Sequence, residues 1–321
     1  MGVDVAVVED VWGAPFEALA GRRSVLRDPG VWSAPDRLRA VAGEAGALVV
    51  RNRTRVTREL LRSAPGLRVV ARAGAGLDNI DLDAAAELGV TVVAARGANA
   101  ASVAEHTLGL ALAVSRRVLE LDREVRAGTW RRVPGRELAG GTWGLLSAGA
   151  TARATARLAR GLGMRVVAHD PYIPDDHPGI RELGIELLPW SAPSPSRTCS
   201  ASISRRPRPR PASSTRTSSP AASPARSWSA SDAARWWTSG LWRRRWKAAT
   251  WPGAALDVRA AEPPAAGPLE RMPNVVLTPH VAGITVQSQA RIAQILCDDI
   301  EAVLDDRVPA HAVTPVQEGR R

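Results

Sequence analysis

Residues 144–170 read GLLSAGATARATARLARGLGMRVVAHD: a short apolar run, a turn of small residues, an amphipathic stretch, a second apolar run and an acid. That order is strand, turn, helix, strand, and its reading decides the fold class. The turn, Ser147-Ala148-Gly149-Ala150-Thr151-Ala152, is built of residues small enough for the backbone to approach a phosphate at a helix N-terminus. Gly149, Ala150 and Thr151 are the candidates for that contact. Asp170 follows Gly149 by 21 residues, at a strand end where a carboxylate accepts from ribose hydroxyls and repels a 2′-phosphate. The pattern fits a dinucleotide site and points to NAD. Serine stands at the usual first glycine and Ala152 at the usual third, so an ordinary strand–helix–strand unit would look similar.

The same alternation runs outward on both sides. Residues 3–8, 47–50, 68–71 and 90–93 are short β-branched runs expected to be buried strands, with helices expected over 57–62 and 82–88. Beyond the quoted stretch, 254–258 and 274–277 again read as strands, and 286–304 as a last helix carrying Ile292, Leu296 and Ile300. Alternating strands and helices imply parallel sheets in an α/β fold. Residues 101–127 form the longest helical stretch, expected as one helix long enough to bridge two domains or two subunits.

The composition excludes several classes. At 321 residues and 45% hydrophobic the chain has material for about two domains, and no apolar run approaches the ~20 residues of a membrane span. The N-terminal run carries acids where a secretory leader needs basic residues, and Cys199 and Cys297 cannot build a disulfide framework. Both features fit a cytoplasmic protein. The net charge of +11 lies entirely in residues 191–251, which hold eleven arginines, Lys247 and one acid, Asp232. The other 260 residues balance, so the charge is no general nucleic-acid footprint.

Four further stretches carry a specific resemblance. RAGAGLDNIDLDAAAELGV (72–90), GANAASVAEHT (97–107), ALDVRAAEPP (255–264) and TPHVAG (278–283) resemble the D-isomer-specific 2-hydroxyacid dehydrogenases, the first two most closely the D-3-phosphoglycerate dehydrogenase branch. The match covers 1–189 and 252–321. It implies a Rossmann-like NAD-binding domain at 99–285, inserted in a flavodoxin-like substrate domain at 1–98 plus 286–321, both doubly wound on parallel sheets, with a cleft between them. It also implies a homodimer formed through the long helix, a 2-hydroxy or 2-keto acid substrate, no metal and no membrane or nucleic-acid partner. With the chain ending soon after the last helix, no C-terminal regulatory domain is expected.

By the same resemblance His280 would be the acid/base that takes the substrate hydroxyl proton, a task an imidazole performs near neutral pH. Glu262 would hold its tautomer, Asp257 would face the nicotinamide end of the cofactor, and Gly283 would close the cofactor site. The Gly74-Ala75-Gly76 loop would offer amides to the substrate carboxylate, with Arg51 as a charge contact. Arg51 reads equally well as a solvated arginine in RNRTR.

The family also places an H-L-P stretch and an arginine-bearing G-R-G-x-L-V-D-E stretch where this chain has residues 191–251, and neither is present. The tract holds six of the eleven tryptophans, no strand pattern, and a Ser/Pro/Arg bias typical of linkers, so it is expected to be irregular. A linker there would remove half a sheet. The genetic code offers another cause. Trp236-Trp237-Thr238 must be TGG TGG ACN; moving each codon boundary back one base gives Leu (or Val or Met), Val, Asp. With codons ending in G or C, a bias suggested by a single lysine among 43 basic residues, 231–235 give G-R-G-A immediately before these, joining to G-R-G-A-L-V-D-E. In the same frame 202–205 give H-L-P, 197–199 give D-V-L, and 241–251 give an amphipathic helix and a turn. The tract therefore reads as out of frame between compensating indels near 190 and 252. The missing arginine would come from the bases of Asp232 and Ala233. An NAD-dependent dehydrogenase is the leading reading, and a catalytically impaired remnant of one is the alternative. Nucleic-acid binding through RRPRPRP and WRRRWK is set aside, because the frame accounts for the same residues.

Overall fold

The computed structural model describes residues 2–74, 76–189, 198–202, 226–230, 253–259 and 261–314. The chain divides into two units, Met1–Asn99 with Ile284–Arg321, and Ala100–Gly283.

In the first unit, apolar runs too short for helices become parallel strands: β1 (Val3–Val7), β2 (Val25–Arg27), β3 (Ala45–Val50), β4 (Val69–Arg72) and β5 (Thr91–Ala94). Their order is β2-β1-β3-β4-β5, the flavodoxin-like winding. Successive residues serve opposite faces, which is why the runs are apolar throughout and do not alternate with polar residues. Val5, Val7, Ala47 and Val49 meet Phe16 and Leu19 of α1 (Ala14–Ala20) and Ile292, Leu296 and Ile300 of α9 (Val286–Leu304). Ala6, Val8, Leu48 and Val50 meet Leu38 and Ala42 of α2 (Pro35–Glu44), Leu60 and Leu61 of α3 (Arg58–Arg62), and Ala84 and Ala85 of α4 (Leu82–Glu87). Caps fix three of these helices: Thr57 accepts from the Leu60 amide and Asp81 from the Ala84 amide, and Thr285 with Ser288 forms a capping box on α9. Residues 311–314 return along β5, with the Val313 amide donating to Val92 (2.8 Å) and the Val92 amide to Thr314 Oγ1 (2.9 Å).

The second unit holds α5 (Ala100–Ser115), α6 (Val118–Arg126) and a seven-stranded parallel sheet. Its strands are β6 (Thr142–Leu145), β7 (Arg165–Ala168), β8 (Glu186–Leu187), β9 (Thr198–Ser202), β10 (Arg226–Ala230), β11 (Gly253–Leu256) and β12 (Val275–Leu277). The order β12-β11-β10-β9-β6-β7-β8 is the 3-2-1-4-5-6 Rossmann order read backwards, with one strand added beyond the sixth. Helix α7 (Ala150–Gly161) packs Ala152, Ala156 and Ala159 against Trp143, Leu145 and Val166, and the one-turn α8 (Pro178–Arg181) adds Ile180 to the same core.

Two expectations are corrected. The single helix over 101–127 is two helices, broken where Arg117 takes a left-handed backbone (φ 57°). The Arg117 side chain bonds Glu120 of the next turn, while the Arg136 amide caps the Ser115 carbonyl at 2.9 Å. The tract 191–251 is not irregular throughout: β9 and β10 lie within it and pair in register with β6 and β11. Strands there satisfy inner edges of β6 and β11 that would otherwise face each other across a gap with their backbone groups unpaired. A search for apolar runs misses TCSAS and RSWSA, which carry no strand signature.

Candidate active site

The chemistry-bearing residues fall into three groups, two in the second unit and one in the first. The first group lies at the end of β12. Thr278 hands the chain into a turn in which His280 takes φ 57°, a left-handed conformation uncommon for a side-chain-bearing residue. The His280 amide donates to the Asp257 carbonyl at 2.8 Å, and the buried Asp257 carboxylate takes three more donors. Its Oδ1 accepts from Thr278 Oγ1 (2.6 Å) and the Val281 amide (2.9 Å), and its Oδ2 from the Ala282 amide (2.9 Å). Asp257 thus ties β11 to the turn and holds His280 in its strained conformation.

The imidazole projects from this turn, about half exposed, with Nδ1 2.7 Å from Glu262 Oε2. The other Glu262 oxygen accepts from the Arg259 amide at 3.0 Å, and the Arg259 guanidinium pairs with Glu270, which in turn receives the Gly267 amide. Glu270 is held below the usual carboxylate range, first by the hydrogen bond from Arg259. The acid beside His280 is therefore itself positioned. With Nδ1–H directed at a carboxylate, Nε2 is left as the proton acceptor, which is the arrangement a general base needs. Gly283 closes the segment immediately after Ala282.

The second group is the turn between β6 and α7. Gly149 caps α7 without any side-chain hydrogen bond to the first turn, and a Cβ built on it would meet nothing within 4 Å. Ala150 and Thr151 open the helix, whose first-turn amides have no partner within the helix and are the donors a phosphate would meet. Asp170, at the end of β7, accepts from the Ala148 amide through Oδ2 (2.9 Å) and from the Tyr172 amide through Oδ1 (3.0 Å). Each oxygen keeps a lone pair for a ribose hydroxyl. The departure at Ala152 is accommodated, because its methyl is fully buried in the α7–sheet core. These residues fit a dinucleotide.

The third group lies in the first unit. Glu9, at the end of β1, is buried and accepts four successive amides: Arg51 (2.8 Å) and Thr54 (2.9 Å) on Oε1, and Asn52 (3.2 Å) and Arg53 (3.0 Å) on Oε2. Burial pushes this carboxyl up, but the amides of Thr54, Arg51 and Arg53 outweigh burial and hold it below the usual range. The Arg51 guanidinium reaches the Asp10 carbonyl at 3.3 Å. Asn79 Nδ2 bridges the carbonyls of Arg51 (3.1 Å) and Thr54 (2.7 Å), joining this loop to the 72–90 motif. Gly74 sits at φ 143°, a backbone conformation that strains any side-chain-bearing residue, and a Cβ there would displace the Arg72 guanidinium. Gly76 is exposed, and Ala75 lies outside the described residues. Burial pushes the Arg72 guanidinium down, and its Nε is buried without a hydrogen-bond partner among the described residues.

Sequence reasoning had no view of Glu9, Asn79, Arg72, His106 or Thr278. Arg72, Asn79, His106 and Thr278 stand in the quoted motifs, but their surroundings are set by the fold. Among the described residues no cluster of His, Cys, Asp and Glu could hold a metal ion, and no helix is long and apolar enough to cross a membrane.

Comparison with known proteins agrees with this geometry. Residues 24–314 match the family described as D-isomer specific 2-hydroxyacid dehydrogenase, catalytic domain. The chain is 36% identical over 283 residues to an (S)-sulfolactate dehydrogenase of Chromohalobacter salexigens, covering 85% of this chain and 89% of that one. It is 35% identical over 284 residues to D-3-phosphoglycerate dehydrogenase 2 of Arabidopsis thaliana, a chloroplastic enzyme, covering 87% of this chain and 45% of that one. The chain spans about half the length of the phosphoglycerate dehydrogenases it matches. Among solved structures, an NADPH-dependent glyoxylate/hydroxypyruvate reductase of Sinorhizobium meliloti, in complex with NADP and malonate, superposes with a TM-score of 0.76. It covers 100% of this chain and 99% of its own at 19% identity, a likeness that speaks to the fold alone. Matched family, winding of both sheets and the paired His280 and Glu262 lead to one assignment: the chain belongs to the D-isomer-specific 2-hydroxyacid dehydrogenases.

Proposed function

We propose that the chain is an NAD-dependent dehydrogenase of D-2-hydroxy acids, of the phosphoglycerate dehydrogenase type, working as a cytoplasmic homodimer. The observation that carries this reading is the 2.7 Å contact between His280 Nδ1 and Glu262 Oε2 in a chain of this family. When bound, the nicotinamide would supply the two-electron oxidant for the C2–H bond of the substrate. His280 Nε2 takes the hydroxyl proton as the C–O bond becomes a carbonyl, and returns it in the reverse direction. Glu262 holds the tautomer and stabilises the imidazolium that forms. The 99–285 segment serves the dinucleotide, with Gly149, Ala150 and Thr151 at the pyrophosphate, Asp170 at the ribose, and Asp257 and Gly283 on the nicotinamide side. The 1–98 and 286–321 segments serve the substrate, whose carboxylate falls to the amides of Gly74, Ala75 and Gly76 and to Arg51.

The tract 191–251 is read as out of frame. Support comes from where its re-read codons fall: D-V-L leads into β9, and G-R-G-A-L-V-D-E begins just after β10. In the sequence the restored arginine would follow Ala230, the last residue of β10, by two to three positions, and parallel sheets carry their ligand contacts beyond the carboxyl ends of their strands. The impaired-remnant alternative gains nothing from the family match, which spans both sides of the tract.

The test is absorbance at 340 nm with 3-phosphoglycerate and other D-2-hydroxy acids, offering NAD and NADP in turn. Turnover with NAD, weakened about tenfold or more in Asp170→Ala with NADP improved, is the expected result. Equal use of both cofactors by the unaltered chain would sink the assignment of Asp170, and no turnover with any acid would sink the activity.

A further inference from the structure

We infer that His106, on α5, is a positioning residue for His280, acting through Thr278 and Asp257; the inference rests on the dehydrogenase reading proposed above. The proton inventory of the site leads to it. A carboxylate only accepts, and Asp257 already receives the Val281 and Ala282 amides. Thr278 Oγ1, 2.6 Å from Asp257 Oδ1, must therefore give its single proton to that oxygen. The Thr278 hydroxyl is then left as an acceptor toward His106 Nε2, 3.1 Å away. His106 must carry its proton on Nε2, and that nitrogen also lies 3.6 Å from Asp257 Oδ1. Donation runs one way, from His106 to Thr278 to Asp257, and the same carboxylate holds the amides on the far side of His280.

The platform beneath this relay is fixed. Leu110 and Val114, one and two turns beyond His106 on α5, pack against Ala255 of β11, two residues before Asp257. Thr278 stands two residues before His280 and Asp257 binds the two residues after it, so the relay grips the backbone on both sides of the left-handed residue. Glu262 orients the imidazole ring itself. His106 bonds Thr278 in the turn, whereas the ring bonds Glu262. The contribution of His106 is to the turn that carries the ring, so it governs the rate of proton transfer more than the binding of substrate or cofactor.

The experiment uses the full chain labelled with 15N-histidine, whose five histidines are assigned by single substitutions. His106 is expected to report a proton on Nε2. His106→Leu is expected to move the His280 ring signals and lower kcat about tenfold, with both KM values within about twofold. His106→Gln, whose side-chain amide can donate to Thr278 Oγ1, is expected to recover most of both effects. Unmoved His280 signals in His106→Leu, or a proton found on His106 Nδ1 alone, would overturn the relay. Equal losses in the Leu and Gln variants, tracking a lowered melting temperature, would reduce His106 to a packing residue. If the unaltered chain turns over no 2-hydroxy acid, the dehydrogenase reading fails, and the ring signals still decide the relay.

Discussion

His280 is held by three devices at once: a left-handed backbone, a buried carboxylate beneath its turn and a second carboxylate on its ring. A non-glycine residue in that conformation costs about 1–3 kcal/mol and persists only where its surroundings fix it. The Asp257 contacts do so, as charge-assisted bonds to the amides on the C-terminal side of the residue. His280 and Glu262 are legible in the sequence because each lies in a contiguous motif. The role of Asp257 is not, since its donors stand 21 to 25 residues away and only the pairing of β11 with β12 brings them together. Glu262→Gln separates charge from shape at the ring. It is expected to lower kcat about 10²-fold with little change in KM, and His280→Asn to lower it by up to about 10⁴-fold. Steady-state kinetics at saturating cofactor checks both; a Gln variant as fast as the unaltered chain would remove Glu262 from the mechanism.

The elements show where sequence reasoning succeeds and where it stops. Runs of β-branched residues give four of the five strands of the first unit to within a few residues, and the expected last helix, 286–304, coincides with α9. Helices α1 and α2 and strand β2 escape it, since their apolar residues are few and widely spaced. The break between α5 and α6 escapes it too, because a left-handed arginine leaves no mark in hydrophobic periodicity. The 51–54 loop is the least legible, for it is shaped by Glu9, more than forty residues distant. That carboxyl is held below its usual range by the loop amides, so its sign is determined. The stabilisation is fully present above the unfolded value near 4.5 and is lost as pH falls through the lower folded value. Glu9→Gln is expected to cost about 1–3 kcal/mol at neutral pH. In urea titrations the gap between the two chains should close on acidification below about pH 4.5. A gap that stays constant with pH would show that shape, and not charge, holds the loop.

At the scale of the molecule, two surfaces ask for an explanation. Among the described residues, helix α6 has none that is buried, and Val118, Leu119, Val125 and the nearby Trp130 are exposed. A second copy covering this face would explain it. Leu119→Asp is expected to halve the mass seen by light scattering at micromolar concentration, and an unchanged monomeric mass in both chains would dismiss the dimer. The other surface is chemical. All of the net charge of +11 and more than half of the tryptophans come from 61 of 321 residues, while the remainder is neutral and matches a family of enzymes. Charge selected for a partner would have no reason to stop at the two places where one alternative frame begins and ends. Nor would it decode into D-V-L, H-L-P and G-R-G-A-L-V-D-E in family order. Resequencing the DNA for residues 185–255 is expected to give an uninterrupted frame with those stretches. The product of that frame should focus several pH units below the 11.2 of the present chain, because the tract's eleven arginines go with the old frame. An unaltered DNA sequence, with a native protein focusing near 11, would mean that the basic tract is real and that the enzyme has lost its arginine.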